Sequence, residues 1–294
     1  MEIFEITGYK TGISRENVNY LLPVDSFESI KNGYIYRGVV QSRKGISLFT
    51  PRLDDNSRVF MIQSFLKTDG STELLAADAN FLYKYNVGTR QFDQLAFGGS
   101  MAGYAGFNIS DNAAYISGTA YPDKSNNSRF VFTSYGISAN AAGSSIFFYD
   151  VSNGDVRDYT AVADNADYVN PSIGTLTRST HVLWFNERLN FIKPTIGGTT
   201  YNQGFLYSGI RDASGNGDNY NAPGSGLIQL DTFETIEGAS IFGQYLALNL
   251  SGSNWLLEKT TDAFNPYFPK KLPSVIGTDA PFSFAQWNSR IYYS

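Results

Sequence analysis

The 294-residue sequence predicts an all-β fold, a β-propeller-like array of short antiparallel four-stranded blades. Short apolar or alternating runs recur between turns of Gly, Asn, Asp and Ser, and helical periodicity is hard to find. The apolar residues are strand formers, with 22 Phe, 20 Tyr and 3 Trp making up 15% of the chain. Residues 58–95 fit four such runs into the length of one propeller blade.

In chain order, the first blade reads as RVFMIQSFL (58–66), a KTDGST turn, residues 73–77, FLYKY (81–85), an NVGTRQ turn and residues 92–95. Residues 117–143 read as a long irregular insertion, because TAYPDKSNNSR is polar and GISANAAGSS is built of small residues. Strands resume with IFFYDV (146–151), a turn at Ser152-Asn153-Gly154, and residues 156–159. Asn-Gly there predicts a type I′ hairpin turn, in which both central residues take positive φ. Further on, LWFNERLNF (183–191) is echoed about two blades later by AQWNSRIYY (285–293). Each has an aromatic strand, Asn at the turn, then Arg, an aliphatic residue and an aromatic one. Between them, residues 236–242, 245–250 and 254–259 read as three sequential strands, and 211–225 as a long Gly/Asn/Asp loop. The expectation is one propeller-like domain over 1–294: N-terminal strands or an arm over 1–53, blades over 54–180, and the best-patterned blades over 181–294. The last strand is followed directly by Tyr292-Tyr293-Ser294, which suits either an incomplete propeller or one closed by an N-terminal strand.

Chemistry is sparse. There is no Cys, so disulfides, thiol nucleophiles and cysteine metal sites are excluded. The single histidine, His181, opens the apolar run VLWF and reads as structural; with one His there is no ordinary zinc site. No Gly-rich phosphate loop joins a strand to a helix. Residues 212–218 (DASGNGD) resemble the start of a calcium loop, but the twelfth position is Pro223, where a bidentate Glu is needed. Asp150, Glu187 and Glu234 are candidate carboxylates for a glycoside-hydrolysing propeller, although none sits in a distinctive setting. No catalytic residue, cofactor or metal is assigned. The N-terminal MEIFEITGYKTG lacks the basic and apolar regions of a signal peptide, and no apolar run is long enough to span a membrane.

Charge is unevenly placed within a net of −5. Between Ser29 and Leu53 lie Lys31, Arg37, Arg43, Lys44 and Arg52 with no acid. Between Thr199 and Pro266, Asp212, Asp218, Asp231, Glu234, Glu237, Glu258 and Asp262 outnumber Arg211 and Lys259. Such segments ordinarily form solvated strand faces. As opposed patches, with Lys31, Arg37, Arg43 and Lys44 against Asp212 and Asp218, they also suit a head-to-tail interface in a ring.

The stretch LPVDSFESIKNGYIYRGVVQSRKGISLF (22–49) resembles the opening of tail nozzle and related head-to-tail proteins of double-stranded DNA bacteriophages. The C-terminal half resembles them more: LWFNERLNFIK, GFLYSGIRD, GSGLIQLD, IEGASIFGQYLALNLSGSNWLLE and IGTDAPFSFAQWNSRIYYS follow the order of elements in those propellers. Residues 102–180 carry no such match. The resemblance implies a non-catalytic virion component, assembled in the host cytoplasm, that forms a homo-oligomeric ring around the DNA-exit channel beside other tail or portal-associated proteins. DNA would pass without specific binding, and a net acidic chain suits that demand. The other reading of the same strand pattern is a carbohydrate-binding or glycoside-hydrolysing propeller.

Overall fold

A computed structural model describes residues 12–13, 26–27, 33–36, 39–42, 49–51, 53, 58–109, 115–135, 144–211, 216–262, 264–273, 277–278, 285–287 and 290–292. The chain divides into two compact units, Met1–Phe49 and Thr50–Ser294. In the first, β1 (Gly12–Ile13) pairs in parallel with β2 (Ser26–Phe27), and β3 (Gly33–Tyr36) forms a hairpin with β4 (Val39–Ser42). Lys31, Arg37, Arg43, Lys44 and Asp212 lie outside the described residues.

The second unit is a series of antiparallel meanders. The first sheet runs β5 (Met61–Leu66), β6 (Thr72–Ala77), β7 (Leu82–Asn86) and β8 (Gln91–Gln94). The second begins with β9 (Ala96–Phe97), followed by β10 (Tyr115–Pro122), β11 (Ser128–Tyr135), β12 (Ile146–Asp150) and β13 (Asp155–Asp158). Its spatial order is β10-β11-β12-β13-β9, with β9 parallel to β13. Then come β14 (Leu176–Arg178), β15 (His181–Phe185), β16 (Arg188–Ile192), β17 (Thr195–Ile196), β18 (Thr199–Thr200), β19 (Gly204–Tyr207) and β20 (Gly226–Gln229). Of these, β15-β16-β19-β20 is the third meander, and β14-β17-β18 a small accessory sheet. The fourth meander is β21 (Ile236–Phe242), β22 (Tyr245–Leu250), β23 (Asn254–Lys259) and β24 (Tyr267–Lys271); β25 (Ala285–Trp287) and β26 (Arg290–Tyr292) form a last hairpin. No α-helix occurs among the described residues, so none there is long and apolar enough to cross a membrane.

The first strands of the four meanders, β5, β10, β15 and β21, lie beside one another in chain order. Strand periodicity explains how the sheets stack, because successive side chains point to opposite faces. On β12, Phe147 and Tyr149 enter the core shared with the first sheet, while Ile146 and Phe148 enter the core shared with the third. On β16, Leu189 and Phe191 face the second sheet and Ile192 the fourth. β12 reads as a nearly unbroken apolar run because both faces are covered, and β16, buried throughout, also takes in Arg188 and Asn190. Each fully buried aromatic ring contributes roughly 1.5–3 kcal/mol. The result is the all-β, propeller-like array of four-stranded sheets that the strand spacing predicts.

The insertion expected over 117–143 is corrected. Most of that span is the long β10–β11 hairpin, register Tyr115↔Tyr135 to Pro122↔Ser128. TAYPDKSNNSR supplies the end of one strand, the turn and the start of the next. Asp123 organises the turn: its carboxylate accepts from the Asn127 backbone N–H (2.8 Å) and side-chain amide (3.1 Å), while Asn126 takes φ 63°. The small polar residues of β10 suit an inner strand. The Ser117 and Thr119 hydroxyls accept the backbone N–H groups of Val182 and Trp184 on β15, both at 3.2 Å. Gly118 leaves room for the Phe130 ring, which would lie 2.4 Å from an added Cβ.

The turns differ in detail as well. At Val151–Gly154 only Gly154 has positive φ (73°), so the Asn-Gly pair does not make the expected type I′ turn. The Asp150 carboxylate holds that turn instead, accepting from Ser152 N–H (2.9 Å) and the Asn153 amide (2.7 Å). A turn with two positive φ values occurs at Asn186-Glu187 (both 55°), between the paired Phe185 and Arg188. Arg188 is fully buried and donates to the carbonyls of Ser208 (2.7 Å) and Gly224 (2.8 Å). In the echoed hairpin, Trp287 pairs with Arg290.

Candidate functional site

The described residues offer two surfaces with functional character: a cavity on the third sheet, backed by a buried polar cluster, and an open face on the first sheet. The cluster is built where the second and third sheets meet. Tyr121 comes from the end of β10, Arg129 from β11, Tyr159 from the residue after β13, and Asp218 and Tyr220 from the loop between β19 and β20. That loop is tied to residues 168–170 by Val169 N–H to Asp218 O (3.2 Å) and Tyr220 N–H to Val169 O (3.0 Å).

Asp218 is 2% exposed. It accepts from the Tyr159 hydroxyl (2.8 Å) and the Tyr121 hydroxyl (3.4 Å), and Arg129 approaches at 3.6 Å. Burial pushes its carboxyl up to about 6, outweighing Arg129 and the two tyrosine hydroxyls, which pull the other way. Burial also opposes the Arg129 charge, but Tyr121, Asp218 and Asp123 outweigh it and keep the guanidinium protonated. Arg129 further contacts Asp123 (3.4 Å), donates to Asn165 Oδ1 (3.0 Å) and lies over the Phe148 ring. Its charge therefore stays compensated whichever state Asp218 adopts. The expectation that Asp218 belongs to a solvent-facing acidic patch is corrected, since its carboxylate is turned into the sheet junction. For the same reason it is not presented to an ion in the 212–218 loop. Among the described residues no group of three or more His, Asp or Glu side chains converges as a metal site.

Tyr220 joins this cluster to the cavity. Its hydroxyl lies 2.9 Å from that of Tyr159, and its ring forms part of the wall of a cavity of about 420 Å³. Pro171, Ser172 and Ile173 line one side; Tyr201, Leu206 and Leu227 come from the third sheet and the turn before it; Asn221, Ser225 and Gln229 add amides and a hydroxyl. No charged side chain lines it. Little in the sequence marks this site: its residues are ordinary turn and strand types drawn from three separate segments.

The three candidate carboxylates are not brought together. Asp150 caps its own turn, as above. Glu187 is exposed at a hairpin tip. Glu234 accepts the Ser253 hydroxyl (2.6 Å) beside Lys271. His181 is buried, with Nδ1 3.2 Å from Thr180 Oγ1 and its ring against Tyr115.

The open face belongs to the first sheet. Met61, Phe65, Leu75, Ala77 and Leu82 point into the core shared with the second sheet. The opposite face carries Ile62 (65% exposed) and Leu66 (66%), with half-buried Leu74, Tyr85 and Phe92, while Ala76 and Tyr83 on that face are buried. Tyr85 and Phe92 pack edge to face at 5.4 Å, and Val59 (41% exposed) precedes the first strand. Singly exposed apolar residues are ordinary, but a contiguous face of them marks an interaction surface.

No family model and no curated protein matches the chain. Among solved structures, the Dos1 propeller is similar with a TM-score of 0.39 and 11% identity, over 75% of this chain and 46% of that one. The extracellular domain of the putative one-component system BT4673 from B. thetaiotaomicron is similar at 0.36 and 11% identity, over 80% of this chain and 32% of that one. The chain thus spans less than half the length of these solved structures, at a similarity too low to carry function.

Proposed function

We propose that the chain is a non-catalytic structural subunit of a bacteriophage virion, a tail or nozzle component forming a symmetric ring around the DNA-exit channel. The observation that carries the assembly reading is the open apolar face of the first sheet. The described sheet-to-sheet junctions in the array are filled by apolar cores, whereas Ile62 and Leu66 stand exposed on the first sheet beside half-buried Leu74, Tyr85 and Phe92. The occupant is a second copy of the chain, whose fourth sheet exposes Phe268 (60%) beside half-buried Tyr245 and Leu256; a contact between these two unlike faces, repeated, generates a ring. The virion assignment rests on the nozzle-like patterns at 22–49 and in the C-terminal half. Hydrolysis is disfavoured because Asp150, Glu187 and Glu234 are engaged or exposed in separate turns, and the cavity holds no carboxylate.

Light scattering coupled to gel filtration and electron microscopy of the full chain test the assembly. The expected result is a discrete ring with a central channel, reduced to monomer by Ile62→Asp with Leu66→Asp. Both side chains are exposed, so that variant should still fold, with the circular dichroism spectrum of the wild type. A wild-type monomer at high protein concentration, or unchanged assembly of the double variant, would overturn the proposal.

A further inference from the structure

We propose that the 420 Å³ cavity on the third sheet is a binding site for a neutral sugar of one or two rings. Its volume lies within the range of small-molecule sites, and its composition narrows the class. With no Lys, Arg, His, Asp or Glu in the lining, a phosphate, carboxylate or ammonium ligand would enter without a compensating charge. An apolar ligand fits no better, because half of the twelve lining residues carry polar side-chain groups: Ser172, Tyr201, Tyr220, Asn221, Ser225 and Gln229.

These groups suit a polyhydroxylated ring. Neutral hydroxyls exchange hydrogen bonds with amides, which both donate and accept, without the desolvation cost of a charge. The side chains of Ser172, Asn221 and Gln229 show no hydrogen bond within the described residues, and all three are solvent-exposed. Ser225, also in the lining, donates to Ala222 O (2.7 Å), which leaves its hydroxyl oxygen as an acceptor. The half-buried Tyr201 ring supplies a flat apolar surface for the C–H face of a pyranose.

The wall is also rigid. Tyr220 is held by its hydroxyl contact to Tyr159 and by backbone bonding to Val169. The bend before β20 is closed by Ser225 N–H to Ala222 O (3.0 Å), with Gly224 at φ 75°. At Gly226 an added Cβ would lie 2.8 Å from the Tyr207 hydroxyl, so the backbone approaches that ring closely. A site formed before the ligand arrives loses less entropy on binding.

The cavity shares no residue with the open face of the first sheet, so sugar binding and ring assembly are separable properties. The test is calorimetric and NMR titration of the full chain with glucose, galactose, mannose, N-acetylglucosamine, maltose and cellobiose, with glucuronate and glucose 6-phosphate as charged counterparts. At least one neutral sugar should saturate a single site. Asn221→Ala and Gln229→Ala, both at exposed positions, should each weaken that sugar about three- to tenfold. Tyr201→Ala should weaken it further, and Tyr201→Phe should restore most of the loss. The proposal is overturned if none of the neutral sugars binds at 10 mM or below, if Asn221→Ala and Gln229→Ala leave affinity unchanged, or if a charged counterpart binds more tightly than its neutral parent.

Discussion

The two junctions flanking the second sheet are filled in opposite ways. Against the first sheet, Phe65, Phe107, Phe130, Phe132 and Phe147 form an aromatic core of mostly tilted rings, with Phe107 edge-on to Phe132. Against the third sheet, Tyr121, Tyr159, Tyr168 and Tyr220 replace phenylalanine and surround a buried carboxylate and guanidinium. Both junctions exclude water from aromatic surface. The first is crossed by hydrogen bonds such as Gln63 to Gly118 O and the Tyr149 hydroxyl to Glu73, whereas the second gathers its hydrogen bonds around a buried carboxylate whose pKa is raised. A phenylalanine core tolerates repacking, whereas a cluster of hydroxyls around one ion pair is satisfied in few arrangements. The tyrosine junction is also the one that abuts the cavity, so order at Tyr220 matters there.

The largest effect that would sharpen this contrast is Phe147→Ala. Phe147 is fully buried and meets Phe107 at 5.3 Å and Phe132 at 5.8 Å. Its truncation should remove about 3–5 kcal/mol in urea denaturation. That loss should be equal at pH 5 and pH 8; a loss that varied with pH would erase the distinction between the junctions.

Asp218→Asn probes the other side. The folded-state pKa of about 6 lies above the ordinary 3.8, so the native state holds a proton that the unfolded chain has released. This group's contribution is full below about pH 4 and is lost as pH rises through about 6. The wild type should therefore fall relative to the variant by on the order of 2–3 kcal/mol between those limits. Paired denaturation curves across pH 4–8 measure the difference, in which the other titrating groups largely cancel. A difference that stayed constant with pH would contradict the assignment.

Tyr168→Phe is the mildest probe. It removes the 2.7 Å bond from the Tyr168 hydroxyl to Asn170 Oδ1, while Asn170 still accepts from Leu176 N–H. A loss of about 0.5–1.5 kcal/mol is expected. A loss as large as that of Phe147→Ala would mean that the hydroxyl organises the whole loop.

The fold was legible where periodicity and turn chemistry agreed. Strands β21 to β23 coincide with the runs 236–242, 245–250 and 254–259, each bounded by Gly or Asn turns. The β10–β11 hairpin was hidden for a physical reason. An inner strand must let its neighbours approach, so it uses Gly118 beneath a phenyl ring and hydroxyls at Ser117 and Thr119, residues that read as loop in isolation. The polar cluster was illegible for another reason. Tyr121, Tyr159 and Tyr220 are strand-formers by type, Asp218 sits among turn residues, and only tertiary folding brings them to one carboxylate. Of the six residues singled out for opposed charge patches, Asp218 alone falls among the described residues, and it is inside.

The one-sided burial of the first sheet also bears on how the array comes apart. In a stack where each sheet is held mainly by its neighbours, loss of one sheet costs the contacts on each side of it. The second and third sheets are gripped on two faces, whereas β5 to β8 are gripped on one. Detachment should therefore begin at an end sheet, β5 to β8 or β21 to β24, and the amides of β6 and β7 should exchange with solvent sooner than those of β12 and β16. A subunit seated on Ile62 and Leu66 would slow opening at that end, so assembly would protect it from proteases as well as from heat.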